Sequence, residues 1–227
     1  MNPSRTTARI VGILFLVVNI TFIVGAAVFV EAILGTPDYL TLVSANRTQL
    51  ALGVLLELIN GIAYVTIAVL MFPILKQRFE SLALGYVGFR IVEFVMQIAS
   101  DLSPLVLVTL SQEFVQAGAP DSSAYQTLGT ALLAGRSSAF LIISLTFSLG
   151  ALLFYFMLYR SKLIPRFISV WGLLGGLLVL VSFVFGLFGF GLGPDIDTAL
   201  GLPMLLNELF LGVWLIIKGF DPSAMID

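Results

Sequence analysis

Six long apolar runs leave this chain very few folds. Residues 8–34, 48–75, 82–110, 125–159, 167–190 and 202–219 are almost wholly apolar, and about 20 such residues suffice to cross a bilayer as a helix. The expected fold is all-α: a polytopic membrane protein in which residues 1–227 form a single six-helix transmembrane domain. Barrel strands do not suit these runs, because a membrane strand alternates apolar and polar positions. Charged residues make up only 11% of the chain, against about a quarter in soluble domains, so lipid must cover much of the exterior. The first run follows Arg5 and Arg9 and exceeds the ~7–15 apolar residues of a signal peptide; it reads as a retained first helix. The fourth run would reach about 50 Å at the helical rise, so it must tilt, kink or protrude, with Gly129 and Gly135 as expected break points.

Basic residues orient the bundle. Arg5, Arg9, Lys76, Arg78, Arg160, Lys162, Arg166 and Lys218 fall at one side if six helices alternate, and Arg47 alone falls at the other. That second side carries Asp38, Glu113, Asp121, Asp195 and Asp197. The positive-inside bias places both termini in the cytoplasm. Tyr39, Tyr125, Tyr159 and Trp171 are expected in interfacial aromatic belts. In the fifth run, Gly172, Gly175 and Gly176 suit close helix approach, read as packing within one subunit rather than a dimer face.

Several chemistries are excluded by composition. The chain has no cysteine and no histidine, which removes thiolate nucleophiles, disulfides, imidazole metal sites and the commonest general base. A net charge of -2 without a basic patch points away from nucleic acid. No catalytic constellation, metal-ligand motif or cofactor motif is recognisable. Asp195 and Asp197 are too few for a calcium shell and read as an acidic outer loop.

Most charges can be assigned to connections, and five cannot: Glu57, Arg90, Glu93, Arg136 and Glu208. Such residues cost at least ~2.5–3.5 kcal/mol at mid-bilayer and almost always face protein or water. Tyr86, Arg90, Glu93, Gln97 and Asp101 follow one another at steps of four, three, four and four, a polar stripe along one helix face. Glu57, Asn60 and Tyr64 share a face of the second helix, Asn207 adjoins Glu208, and Ser137, Ser138 and Ser144 lie near Arg136. The other face of the third helix, with Val87, Ile91, Phe94, Val95 and Ile98, is expected to meet lipid. From the inner-side charges, Glu93 lies about 22 Å outward, Asn60 about 24 Å, Glu57 roughly 28 Å and Glu208 about 15 Å. These levels suggest one polar pocket open to the outside, with Glu57, Asn60, Arg90, Glu93, Gln97, Arg136, Asn207 and Glu208 as ligand-binding or proton-coupling candidates. The expected pairings are Arg90 with Glu57, Glu208 or Glu93, and Arg136 with Glu93 or Glu208. One carboxyl group is left to carry a proton or meet a bound cation. Alternatively, such pairs only fix helix register.

The strings GYVGFRIVEFV (Gly85 to Val95), YRSKLIPRFISVWGLLGG (Tyr159 to Gly176) and NELFLGVWLIIKGF (Asn207 to Phe220), with RIVGILFLV from Arg9 to Val17 and the segment around Glu57 and Asn60, resemble the domain-of-unknown-function family 4386. That is a group of bacterial multipass membrane proteins. The resemblance implies the fold and a bacterial inner-membrane location, and it supplies no catalytic residue. Three functions compete. One is binding or transport of a small anionic or zwitterionic solute, or of a lipid ligand, at the Arg/Glu pocket. Another is an accessory, sensor or assembly subunit with structural ion pairs, whose protein partner the sequence does not identify. A third is a lipid or isoprenoid enzyme, disfavoured by the scarcity of catalytic groups.

Overall fold

The computed structural model describes residues 3–118 and 122–224, so Asp121 lies outside the described residues. Among them there are helices and no strand, as expected where lipid offers the backbone no hydrogen-bond partner. The elements are α1 (Pro3–Thr21), a π-helical stretch (Phe22–Val30), α2 (Glu31–Leu34), α3 (Tyr39–Ala45), α4 (Arg47–Gln116), α5 (Ser122–Ser161), α6 (Arg166–Leu187) and α7 (Pro194–Ile217), with a 3₁₀ turn at Pro222–Ala224. Five helical segments are long and apolar enough to cross a membrane.

The 70 residues of α4 would span about 105 Å if straight. They do not run straight, because Phe79 leaves helical geometry at φ -142, ψ 54 and the chain folds back. Gln97 bonds Glu57 at 3.3 Å, Phe94 lies against Gly61, and Arg90 lies 4.3 Å over the Tyr64 ring. These pairs step towards Phe79 in antiparallel register, so α4 is a hairpin of two arms. The expected second and third helices are those arms, with no loop between them. Phe94 is half-buried, with its ring against Gly61, whereas Ile91, Val95 and Ile98 are exposed.

The helices close into a ring: α4 packs on α5, α5 on α6, α6 on α7, α7 on α1 and α1 on α4. Glycine lets neighbours approach. The α1–α7 crossing brings Gly12 onto the Gly212 backbone, Gly172 meets the Tyr155 ring, and Gly175 meets Met204. The α6 glycines are thus used within the chain. Leu84, Phe188 and Ile13 are 63%, 69% and 52% exposed, an apolar exterior that only lipid suits.

Other boundaries differ from expectation for local reasons. α5 runs unbroken through Gly129 and Gly135 over 40 residues, and Gly129 lies against the Tyr39 hydroxyl. Tyr39 is therefore buried instead of sitting in an interface belt. The connection at residues 35–47 contains α3, and α6 ends at Leu187, followed by Gly189 at φ 73. Asp195 and Asp197 stand in the first turn of α7 rather than in a loop. Negative charge suits a helix start, and Asp197 also accepts from Ser182 Oγ at 2.6 Å.

Candidate functional site

The expected single pocket resolves into two arginine centres at successive levels of the α4 hairpin. At the first, Arg90 is 1% exposed. Its Nη1 donates to Glu93 Oε2 at 2.7 Å, one helical turn along. The guanidinium is enclosed by rings: Tyr64 at 4.3 Å, Phe147 at 4.8 Å and Tyr86 at 5.5 Å from its carbon. Tyr64 donates to Glu208 Oε2 at 2.7 Å, which ties α7 to the same group. Aromatic faces attract a guanidinium and keep water from it. Tyr86 OH, Tyr155 OH, Arg90 Nε and Glu208 Oε1 are buried without a hydrogen-bond partner. This centre is closed on every side by α4, α5 and α7.

The second centre is built around Arg136 of α5. Its Nη2 and Nη1 donate to the two oxygens of Glu57 at 2.7 and 3.3 Å, the two-point geometry that makes arginine–carboxylate pairs strong. Nη1 also reaches Asp101 Oδ1 and Ser100 Oγ, both at 3.4 Å, and Nε reaches Glu31 Oε1 at 3.1 Å. Gln97 Nε2 donates to Asp101 Oδ1 at 2.9 Å as well as to Glu57. Glu57 and Asp101 are thus held against each other by the same two donors. Arg136, Glu57 and Asp101 side chains are 3–4% exposed, but that of Glu31 is 52% exposed. Glu31 is the member of this centre that reaches the surface.

Several expected pairings are corrected by this geometry. Arg136 pairs with Glu57, Asp101 and Glu31, not with Glu93 or Glu208. Of the three partners expected for Arg90, Glu93 is the one it meets; Glu57 is taken by Arg136, and Glu208 by Tyr64. Asn60 spends its amide on Val18 O at 2.6 Å and Thr21 Oγ1 at 3.2 Å of α1, and Asn207 spends its own on Ile168 O at 2.9 Å. Both are bridges between helices. Ser137 and Ser138 are exposed, Ser144 bonds back to Phe140 O, and the serine that reaches Arg136 is Ser100.

Sequence reasoning missed the roles of two residues. Glu31 was absorbed into the tail of the first apolar run, although a carboxylate there is as costly as the five others; it follows the π-helical stretch, a widened turn that often marks a functional site. Asp101 belongs to the expected polar stripe, and its charge adds to the balance of the five. Including both, five carboxyl groups face two guanidinium groups, and three of the five surround Arg136. Among the described residues no three metal-ligating side chains converge on one point, because the carboxylates are splayed around the guanidinium.

Residues 10–219 match the model of a protein family described as Domain of unknown function (DUF4386). No curated protein and no solved structure matches the chain.

Proposed function

This chain belongs to the DUF4386 family, and from that premise we propose a six-crossing inner-membrane protein, both termini cytoplasmic, whose Arg136 centre binds a small solute bearing a cationic group in exchange for protons. The observation that carries the solute reading is the surplus of carboxyl groups: Glu57, Asp101 and half-exposed Glu31 around one guanidinium. In a low-dielectric interior that surplus is neutralised by protons or by a bound cation. An anionic solute would have to displace Glu57 from its two-point pair. An ammonium group instead finds carboxylate oxygens, including the unpartnered Asp101 Oδ2.

Infrared difference spectroscopy of the purified protein tests this. We expect a carboxylic-acid carbonyl band that is lost in Asp101→Asn or Glu57→Gln and is diminished by small alkylammonium ions. A spectrum without any protonated-carboxyl band at neutral pH, or one unmoved by these substitutions, sinks the reading.

The six crossings rest on the α4 hairpin. The orientation is supported by basic residues gathered at one end: Arg78 donates to Ser161 O at 3.2 Å, and Asp221 N to Leu163 O at 2.9 Å. Because the chain has no cysteine, single substitutions report sidedness directly. Thr41→Cys should react with an impermeant maleimide in intact cells and Ser223→Cys should not; the reverse pattern would invert the topology. A purely structural role is favoured by one region, the closed Arg90 centre, and is assigned to it.

A further inference from the structure

Where α5 and α7 end and α6 begins, a cleft of about 490 Å³ separates the turn from Lys162 to Arg166 from the segment at Lys218 to Pro222. Three exposed cations, Lys162, Arg166 and Lys218, line it against one acid, Asp221. Asp221 is turned to its own chain: it accepts from Ser223 N at 2.9 Å and Ser223 Oγ at 2.8 Å, and these bonds hold its carboxyl below the ordinary value. It remains anionic and offsets one of the three cations, so the cleft keeps a net positive charge.

The walls are built rather than incidental. Lys162 sits at φ 59, a left-handed conformation uncommon for a residue with a side chain. The neighbouring Leu163 and Ile164 are each only 2% exposed, and Leu163 O accepts from Asp221 N, which clips the two walls together. The start of α6 adds backbone N–H groups at the same place.

On its membrane side the cleft continues into an aromatic surface. Trp214 lines the cleft and touches Phe167 and Phe210, with ring centroids 6.5 and 6.3 Å apart. Phe167 and Phe210 are 56% and 39% exposed. A cationic cleft at the bilayer boundary above an exposed apolar face is complementary to one amphiphile.

We propose that this cleft binds the phosphate headgroup of an anionic phospholipid, with the acyl chains lying along Trp214, Phe167 and Phe210. Basic pockets between transmembrane helices recognise such headgroups by charge. The inference requires only that the chain lies in a bilayer, and it is independent of the solute reading.

The test uses the full chain in nonionic detergent with Trp171→Phe, so that Trp214 is the remaining tryptophan. Dioctanoyl phosphatidylglycerol should change Trp214 emission saturably, and dioctanoyl phosphatidylcholine should bind on the order of tenfold more weakly. Each removed cation should weaken binding about fivefold, so Lys162→Gln with Lys218→Gln should weaken it about 25-fold, while Lys162→Arg with Lys218→Arg retains it. Equal affinity for the two lipids overturns the proposal. So does loss of binding in both substituted pairs, or inorganic phosphate binding as tightly as phosphatidylglycerol, which would make this a free-anion site.

Discussion

The two arginine centres share one hairpin and one kind of ion pair, yet differ in what surrounds the guanidinium. Arg90 has one carboxylate at 2.7 Å, a second, Glu208, held one step away by the Tyr64 hydroxyl, and aromatic rings on its faces. Arg136 has three carboxylates, and one of them, Glu31, is half exposed. A ring cage neutralises little charge but excludes water, so the Arg90 arrangement is fixed by packing. A carboxylate ring leaves net negative charge that something exchangeable must balance. The difference teaches that an intramembrane arginine is not in itself a binding site. The ratio of carboxylates to guanidinium, and the exposure of one member, distinguish the centre proposed to bind a solute from the one proposed to be structural.

The largest effect is expected at the closed centre. Arg90→Ala removes the cation and leaves Glu93 buried without its partner, a loss of about 3–5 kcal/mol, read as collapse of the folded fraction in a thermal-shift assay. Replacing the pair together, Arg90→Met with Glu93→Leu, should recover most of that stability, because apolar pairs often substitute for buried ion pairs without cost. A double variant as unstable as the single would show that Arg90 answers to more than Glu93, and the contrast between the centres would fail.

Next in size is a wedge between the centres. Gly61 faces the Phe94 ring with no room for a Cβ, so Gly61→Val overpacks the hairpin by about 1–3 kcal/mol. Since Gly61 lies between the Glu57–Gln97 and Tyr64–Arg90 contacts, both centres should respond. The near-ultraviolet dichroism of Tyr64 and Tyr86 should change together with the carboxylic-acid band. A change in one alone would mean that the arms hinge independently.

Much of this plan could be read from residue order, and the unread part has a definite cause. The apolar runs exposed every long helix because length and hydropathy are local properties. The steps from Tyr86 to Asp101 exposed the polar stripe because helical period is local too. Which arginine meets which carboxylate depends on the relative height of α4 and α5, and no local pattern encodes that. Hence Arg136–Glu57 was unforeseen while Arg90–Glu93, one turn apart, was among the expected pairs. Asn60 and Asn207 looked like site residues for the same reason that makes them bridges: an amide at a helix interface satisfies either a ligand or a neighbouring backbone carbonyl, and only packing decides. Glu31 was hidden by an apolar run long enough to absorb it.

The open centre should lose function with little loss of fold. Asp101→Asn keeps the shape and the bond from Gln97, so stability should fall by only about 1 kcal/mol while the ammonium response disappears. The same change at the closed centre, Glu93→Gln, should leave that response intact. If Glu93→Gln also abolished it, the centres would be one coupled site.

The smallest stability effect belongs to Glu31, whose side chain is half in solvent, 3.1 Å from Arg136. Exposed ion pairs contribute about 0–1 kcal/mol, so Glu31→Gln should leave the melting temperature nearly unchanged. On the proposed reading it acts from the surface, where a carboxylate raises the local concentration of cations and their rate of arrival. The expected signature is therefore kinetic: slower association of an alkylammonium probe, an effect that shrinks as ionic strength rises and screening shortens the reach of the charge. Asp101→Asn should instead remove binding at every salt concentration. A salt-independent loss in Glu31→Gln would move Glu31 from the surface into the binding shell, and the open centre would then be gated by another group.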